Sequence, residues 1–295
     1  MRFTNLTNNL SISIIIPCWN SVELLKKNLP SVIIAAKYAN AEIIVVDDKS
    51  HDDSVNYLKS LKSEITLLLN DHNLGFGNTV NRGVSYAKTD LVVLLNTDVR
   101  PVEDCFFNAR NYFVDDTVFA VGFNSNEGSM RVNWDRGLFH HFKGDNTKIS
   151  LWASGGQAMF DRKKYLALGG MDALYKPFYW EDTDLGYNAW KRGWKVLWGA
   201  DCLCVHDHKG SVISSNFEKD KIYITAQRNQ FLFIWKNISD WSLLLSHLLY
   251  LPLYILKYPK TVFSAFMLLP RALTSRKKLS PYWKLRDRDI LKLWK

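Results

Sequence analysis

Residues 42–50 read Glu-Ile-Ile-Val-Val-Asp-Asp-Lys-Ser, an apolar run that stops on two aspartates. The run is too short for a helix, and it is continuous rather than alternating. That pattern marks a strand buried on both faces of a parallel sheet. Residues 11–16, 65–69 and 91–95 read the same way, and helical patterns over 23–38, 53–61 and 76–87 lie between them. Strand and helix repeated three times predict an α/β fold with a wound, mostly parallel sheet and right-handed crossovers. Such sheets bind ligands beyond the carboxyl ends of their strands. Four polar clusters stand there: Pro17-Cys18-Trp19-Asn20, Asp47-Asp48-Lys49-Ser50, Asn70-Asp71-His72-Asn73 and Asn96-Thr97-Asp98. One would be ordinary loop chemistry; four at equivalent positions point to a single site.

The whole chain has 295 residues, 47% apolar and 23% charged, enough to bury a sizeable core. Four cysteines are too few for a disulfide framework at this length and read as reduced, cytosolic thiols. The polar N-terminus shows no apolar signal segment. Charge is uneven. Residues 257–295 carry eleven Lys/Arg against Asp287 and Asp289, a net +9, while the remaining 27 basic and 27 acidic residues cancel. A neutral body with a basic extension suggests two different jobs.

Between 99 and 210 the pattern is less regular, with strand-like pieces at 118–123, 157–160 and 195–198 and a helix over 182–192. Beyond 216 the chain turns aromatic and apolar. Residues 241–256 hold no Lys, Arg, Asp or Glu, and a second apolar run covers 261–269. Both fall short of the roughly 20 residues that span a bilayer. Interleaved Trp, Tyr, Lys and Arg fit the headgroup layer of an anionic membrane better than nucleic acid, for which no binding motif is present. The alternative is a basic helical hairpin packed on the body or on a second subunit, so an oligomer stays open.

Asp47, Asp48 and Asp98 put carboxylates where a nucleotide would sit, and a carboxylate needs a divalent cation between itself and a phosphate. Neither GxxxxGK[ST] nor GxGxxG follows the first strand. Taken alone, Asp98 equally ends a strand before a turn. Cys202, Cys204, His206 and His208 alternate on one strand face. Neighbours two apart lie nearly 7 Å from each other and the four span about 20 Å, so they cannot surround one zinc ion. Trp152-Ala153-Ser154-Gly155-Gly156-Gln157 is a small-residue turn entering a strand, and most of the 11 tryptophans are read as core. His140, His141 and His208 read as surface or loop histidines.

VVDDKSHDDS, then NDHNLGFGNTVNRG, LVVLLNTDV and YWEDTDLGYNAWKRGWKV, in that order, resemble the family 2 glycosyltransferases. Asn73, Gly75, Asn81 and Gly83 match the family's NxGxxxxxNxG stretch. The resemblance covers about residues 11–210 and is greatest to the bacterial rhamnosyltransferase-like branch. It implies a GT-A fold over residues 1–215, with a nucleotide-binding half at about 1–100 and an acceptor half at about 101–215. Residues 216–295 then form a helical, membrane-associating extension. It further implies a nucleotide-diphosphate sugar donor, a divalent metal (Mg2+ or Mn2+), and inversion at the anomeric carbon. Pro17 and Asn20 would shape the nucleotide pocket, Asp47 or Asp48 bind the base or ribose, and Asn73 and Arg82 line that pocket. Asn96-Thr97-Asp98 stands where the family has DXD. Asn96 departs from it, leaving one carboxylate and weaker metal binding. His206 matches a histidine that helps ligand the metal or diphosphate.

An inverting transfer needs a base to take the acceptor hydroxyl's proton. Asp182 matches the family's base, supported by Glu181, and the aromatic run Phe178-Tyr179-Trp180 would raise its pKa. The competing reading makes Asp182 a helix cap and Asp184 a partner for the helix dipole, whose field opposes that rise. The expected enzyme is an inverting transferase on the cytoplasmic, inner face of the plasma membrane. It would move a sugar, a deoxyhexose such as rhamnose included, to a hydroxyl of a lipid-linked glycan in polysaccharide or lipopolysaccharide synthesis. A sugar nucleotidyltransferase would need a glycine-rich basic loop after the first strand, which 17–24 lacks. A non-catalytic membrane scaffold retaining the fold is the other alternative.

Overall fold

The computed structural model describes residues 10–126, 128–144, 148–207 and 217–294. Its first half is β1 (Ile12–Cys18), α1 (Val22–Ala39), β2 (Ala41–Asp47), α2 (Ser54–Ser60), β3 (Thr66–Leu69), α3 (Phe76–Tyr86) and β4 (Leu91–Leu95). β5 (Val99–Pro101), α4 (Cys105–Asn111) and β6 (Val118–Asn124) follow. Then come a hairpin of β7 (Met130–Asp135) and β8 (Leu138–Lys143), β9 (Gln157–Asp161), α5 (Arg162–Leu168), α6 (Glu181–Lys191) and β10 (Lys195–His206). The C-terminal helices are α7 (Lys219–Asn237), α8 (Trp241–Lys257), α9 (Pro259–Leu279) and α10 (Asp287–Lys292).

Eight strands form one sheet in the order β3-β2-β1-β4-β9-β6-β10-β5. β1 pairs in parallel with β2 and β4, β2 with β3, and β6 with β10, whereas β9 runs antiparallel between β4 and β6. The unbroken apolar strands feed two cores. Ile15, Ile44, Val46, Val92 and Leu94 face α3 and the C-terminal helices. Their neighbours Ile14, Ile16, Val45, Val93 and Leu95 face α1 and α4, because successive strand residues point to opposite sides. At Gly83 a Cβ would lie 2.3 Å from Ile15 Cγ2, so glycine there lets α3 sit directly on β1.

The expected strands and helices of the first hundred residues are present, shifted by a residue or two at their ends. The strand expected at 195–198 runs on to His206, and the helix expected from 182 begins at Glu181. α7 joins the core that faces α3: Phe231, Leu232, Phe233 and Ile234 are at most 2% exposed. Two buried ion pairs tie it and α10 to α6. Lys191 meets Asp287, which also accepts from Tyr187 and caps α8 through the Ser239 and Asp240 N–H groups at 2.7 Å. Lys236 bridges Asp172 (2.8 Å) and Asp184 (2.7 Å). Among the described residues no helix is long and apolar enough to cross a membrane. The boundary expected at 215/216 lies outside the described residues.

Candidate active site

The carboxyl ends of β1, β2 and β3 are laced together. Half-buried Pro17 lies within β1, and Asn20 follows with φ 49°, its Oδ1 accepting from His51 N (2.7 Å) and its N–H donating to Ser50 Oγ (2.9 Å). Asp47 accepts from Ser50 N at 3.0 Å through Oδ2, while its Oδ1 is buried with no hydrogen-bond partner. Asp48 is used up internally: it accepts from Asn70 Nδ2 (2.7 Å), Leu74 N (2.7 Å) and Gly75 N (2.9 Å). Of the two aspartates, Asp47 is therefore the one with an oxygen to offer a ligand. Arg82 spans Leu69 O (2.7 Å) and Asn70 Oδ1 and steadies the same loop, in which Asn73 is exposed. Asn81 staples α3 to a later turn, accepting from Tyr165 OH (2.7 Å) and Met171 N (3.0 Å) and donating to Met171 O (2.8 Å).

A second group forms around β4. β5 pairs antiparallel with the end of β10, Val99 opposite His206, which sets His206 Nε2 3.4 Å from Asp98 Oδ2. Asp98 Oδ1 is buried with no hydrogen-bond partner. Asp98 and His206 could supply one carboxylate and one imidazole to a divalent cation; among the described residues no cluster of three or more candidate ligands converges. Cys202 and Cys204 are buried, their neighbours Leu203 and Val205 exposed, and burial pushes the Cys202 thiol well above its ordinary range. Two buried thiols beside His206 are what the strand holds; His208 lies outside the described residues.

The turn at 152–157 joins the groups. β9 pairs Gln157 with Leu95, and Asn96 N donates to Gly156 O at 2.8 Å. A Cβ at Gly156 would stand 2.3 Å from Asn96 Nδ2, so any larger residue there would displace the Asn96 side chain. The adjacent Gly155 N–H lies 3.5 Å from Asp182 Oδ2, and Asp182 Oδ1 accepts from Thr183 N at 2.7 Å. Phe76 lies beside Gly155, and a small cavity bounded by Phe76, Gly77, Asn78, Asp172, Tyr175 and Glu181 connects the start of α3 with the acidic pair.

Tyr179 (φ 69°) and Trp180 (φ 81°) turn the chain sharply into α6, a conformation costing roughly 1–2 kcal/mol per non-glycine residue. Asn229, fully buried on α7, holds this turn by donating to the carbonyls of Tyr175 (2.8 Å), Phe178 (2.9 Å) and Tyr179 (2.9 Å). Trp180 is buried, and His141 sets its ring 4.8 Å from Trp152 and 5.1 Å from Trp180. Burial first, and then the Asp182 charge, push Glu181 up to about 8. Burial also raises Asp182, against backbone donors from Thr183 and Gly155 that favour its anion. Glu181 Oε2 is buried with no hydrogen-bond partner, whereas Asp182 accepts from two backbone N–H groups that favour its charged form. Asp184 stands in the first turn of α6, where its charge complements the helix dipole, and it is bound there by Lys236, Tyr175 and Asn237. Trp190 and Trp198 are buried, as expected of core, and Trp194 is half-buried.

The sequence profile of Glycosyl transferase family 2 matches residues 13–176, more than half of the chain. The chain belongs to glycosyl transferase family 2. It is 28% identical over 113 residues to poly-beta-1,6-N-acetyl-D-glucosamine synthase of Staphylococcus aureus (strain COL), covering 37% of this chain and 27% of that protein. It is 32% identical over 88 residues to the Escherichia coli UDP-Glc:alpha-D-GlcNAc-diphosphoundecaprenol beta-1,3-glucosyltransferase WfgD, covering 30% of this chain and 34% of the relative. The matches thus span about a quarter to a third of these relatives. Among solved structures, GalNAc-T7 with UDP, GalNAc and Mn2+ superposes with TM-score 0.59 and 17% identity over 77% of this chain and 48% of that one. The Pyrobaculum calidifontis mannosyltransferase PcManGT with GDP-Man and Mn2+ gives 0.58 and 17% over 96% and 79%. S. aureus TarS 1–349 with UDP-GlcNAc gives 0.56 and 14% over 81% and 72%. The family 2 chain has the GT-A fold of these transferases, and its C-terminal part is helical.

Proposed function

We propose that this family 2 glycosyltransferase is an inverting enzyme that moves one sugar from a nucleotide-diphosphate donor to a hydroxyl of a lipid-linked glycan. The supporting observation is the turn at Gly155-Gly156, which touches Asn96 on one side and Asp182 on the other. Donor phosphate and acceptor hydroxyl would meet across it.

Asp47, through its spare oxygen, would bind the base or ribose, with Pro17, Asn20, Asn73, Arg82 and Asn96 shaping the pocket around the nucleotide. Asp98 and His206 would hold Mg2+ or Mn2+. A cation there would neutralise charge on the departing diphosphate. Asp182 accepts the acceptor's proton, because its anion is favoured by the Thr183 and Gly155 N–H groups. Glu181, protonated, donates a hydrogen bond to the acceptor or holds the Asp182 carboxylate in place. Residues 1–215 act as the catalytic unit and 216–295 as its membrane-facing extension. The donor sugar is a hexose or a deoxyhexose such as rhamnose, as in the rhamnosyltransferase-like branch. The setting is polysaccharide or lipopolysaccharide assembly at the inner face of the plasma membrane.

A panel of nucleotide sugars screened by thermal shift with Mn2+, followed by assay of nucleotide-diphosphate release with a lipid-linked acceptor, tests this reading. Stabilisation by a donor, and release that needs the acceptor, are expected. No stabilisation by any nucleotide sugar would favour a non-catalytic scaffold instead.

A further inference from the structure

The face of α8 turned away from the body has the wrong chemistry for water. Its inner face is firmly seated: His247 is 1% exposed, its Nδ1 lies 2.7 Å from Gly137 O, and its Nε2 accepts from Trp235 Nε1 at 3.0 Å. Tyr254 OH donates to Arg136 O at 2.8 Å two helical turns later. On the opposite face Leu248, Leu249, Leu253 and Leu256 are exposed, Leu249 by 70% and Leu256 by 81%. α9 continues the patch with Phe263 (68% exposed) and Met267 (67%). Ordinary amphipathic helices put polar residues outward. Exposed apolar patches of this kind mark interaction surfaces.

Charge says what covers it. Residues 241–286 contain no Asp or Glu and eight Lys/Arg. Lys257 and Lys260 stand at the α8–α9 corner, and Arg271, Lys277 and Lys278 follow along α9, all exposed. Apposing a second copy of the chain through this face would set like charges together, whereas an anionic bilayer complements them. At 17 residues α8 extends about 25 Å, short of the roughly 30 Å hydrocarbon core. An outward apolar stripe bordered by cations is instead the pattern of a helix lying in the interface.

We infer that the α8–α9 hairpin docks on an anionic lipid bilayer, with α8 lying in the membrane plane and Leu249, Leu253, Leu256, Phe263 and Met267 entering the acyl boundary. This deepens the membrane partner of the proposed function and rests on that reading only for the acceptor. The hairpin is not a loose tether. α9 packs on α7, and α7 supplies the Asn229 and Lys236 that hold the acidic pair's turn, so docking sets the tilt of the site over the lipid surface.

Flotation of the full chain with phosphatidylcholine vesicles, with and without about 30% phosphatidylglycerol, tests the inference. Binding is expected only to the anionic vesicles and is expected to weaken with salt. Leu249→Glu/Leu253→Glu/Leu256→Glu should lose binding at least tenfold while its melting temperature stays unchanged, since all three side chains are already exposed. Lys257→Glu/Lys260→Glu/Arg271→Glu should abolish the preference for phosphatidylglycerol. Unchanged flotation of either triple variant overturns the inference, as does a concentration-dependent dimer that the leucine variant dissociates and that ignores vesicles. UDP and GDP binding with Mn2+, measured on the same variants, should not move, so failure of the transferase reading is seen separately.

Discussion

Lys236→Met isolates the structural argument for how the acidic pair is held. The lysine is 1% exposed, and its ammonium lies 2.8 Å from Asp172 and 2.7 Å from Asp184, itself 3% exposed. Burial pulls the Lys236 pKa down, but the Asp184 and Asp172 charges outweigh it and hold the group above the ordinary lysine range. Burial likewise opposes ionisation of Asp172, and the Lys236 charge prevails, holding that carboxyl below its usual range. Methionine keeps most of the apolar stem and removes the cation, leaving Asp184 with the neutral donors of Tyr175, Asn188 and Asn237. Breaking a buried pair in this way costs about 3–5 kcal/mol. At about 2–4 °C per kcal/mol for a chain approaching this size, the melting temperature should fall by roughly 10 °C. The sign with pH follows. The lysine's contribution is complete below the ordinary lysine range and lost as pH rises through its elevated pKa. That of Asp172 is complete above the ordinary aspartate range and lost as pH falls through its lowered pKa. The gap between wild type and variant should therefore be flat from about pH 5 to 9 and shrink outside that window. Thermal melts by circular dichroism, with Lys236→Met/Asp184→Asn as the second variant, check it. The double variant should recover at least half of the loss. A fall below 2 °C, or no recovery, would refute the buried network.

Glu181→Gln should flatten a pH trend. A carboxyl held protonated to about 8 binds a proton in the folded chain that the unfolded chain releases near the ordinary value of 4.5. Wild-type stability should thus decline between those pH values by up to about 1.4 kcal/mol per unit, read as urea midpoints, and the variant should lack that decline. Gly156→Ala pushes a methyl into the Asn96 amide and should raise the donor KM at least tenfold while changing the melting temperature by only a few degrees. Gly186→Ala meets backbone rather than a movable side chain, with Leu151 O and Trp152 Cα both at 2.7 Å, and should destabilise by about 1–3 kcal/mol in thermal melts.

Much of the first hundred residues was legible because their strands are buried on both sides and so carry unbroken apolar runs such as Ile43–Val46. The second half was harder. β5 is three residues ending in Pro101 and exists only by pairing with β10, so no local pattern announces it. β7 and β8 form a separate hairpin in which β8 buries Leu138 and Phe139 in succession and exposes His140 to Lys143, so no period-two alternation marks it. The Arg136-Gly137 pair between them, at φ 46° and 73°, was an available hairpin signal. The candidate site shows the same split. Asp98, His206, Glu181 and Asp182 stand out as acids and a histidine at strand or helix ends. Asn229, Lys236 and Asn237 do not, because they sit among Phe231, Leu232, Phe233 and Ile234 on a helix far along the chain. Polar residues seven and eight positions apart, flanking the apolar stretch Phe231 to Trp235, were the clue. Asp48 looked equivalent to Asp47 in the sequence, and only the loop at Leu74 and Gly75 reveals that its oxygens are spoken for.

Isothermal titration of UDP and GDP with Mn2+ into wild type, Asp98→Asn and Asp182→Asn, paired with transfer assays on the same preparations, tests the central claim most directly. Asp98→Asn should bind at least tenfold more weakly. Asp182→Asn should bind within about twofold of wild type and lose turnover by about 10²–10⁴, the range of a general base. Nucleotide binding unaffected by Asp98→Asn, or full turnover in Asp182→Asn, would contradict it.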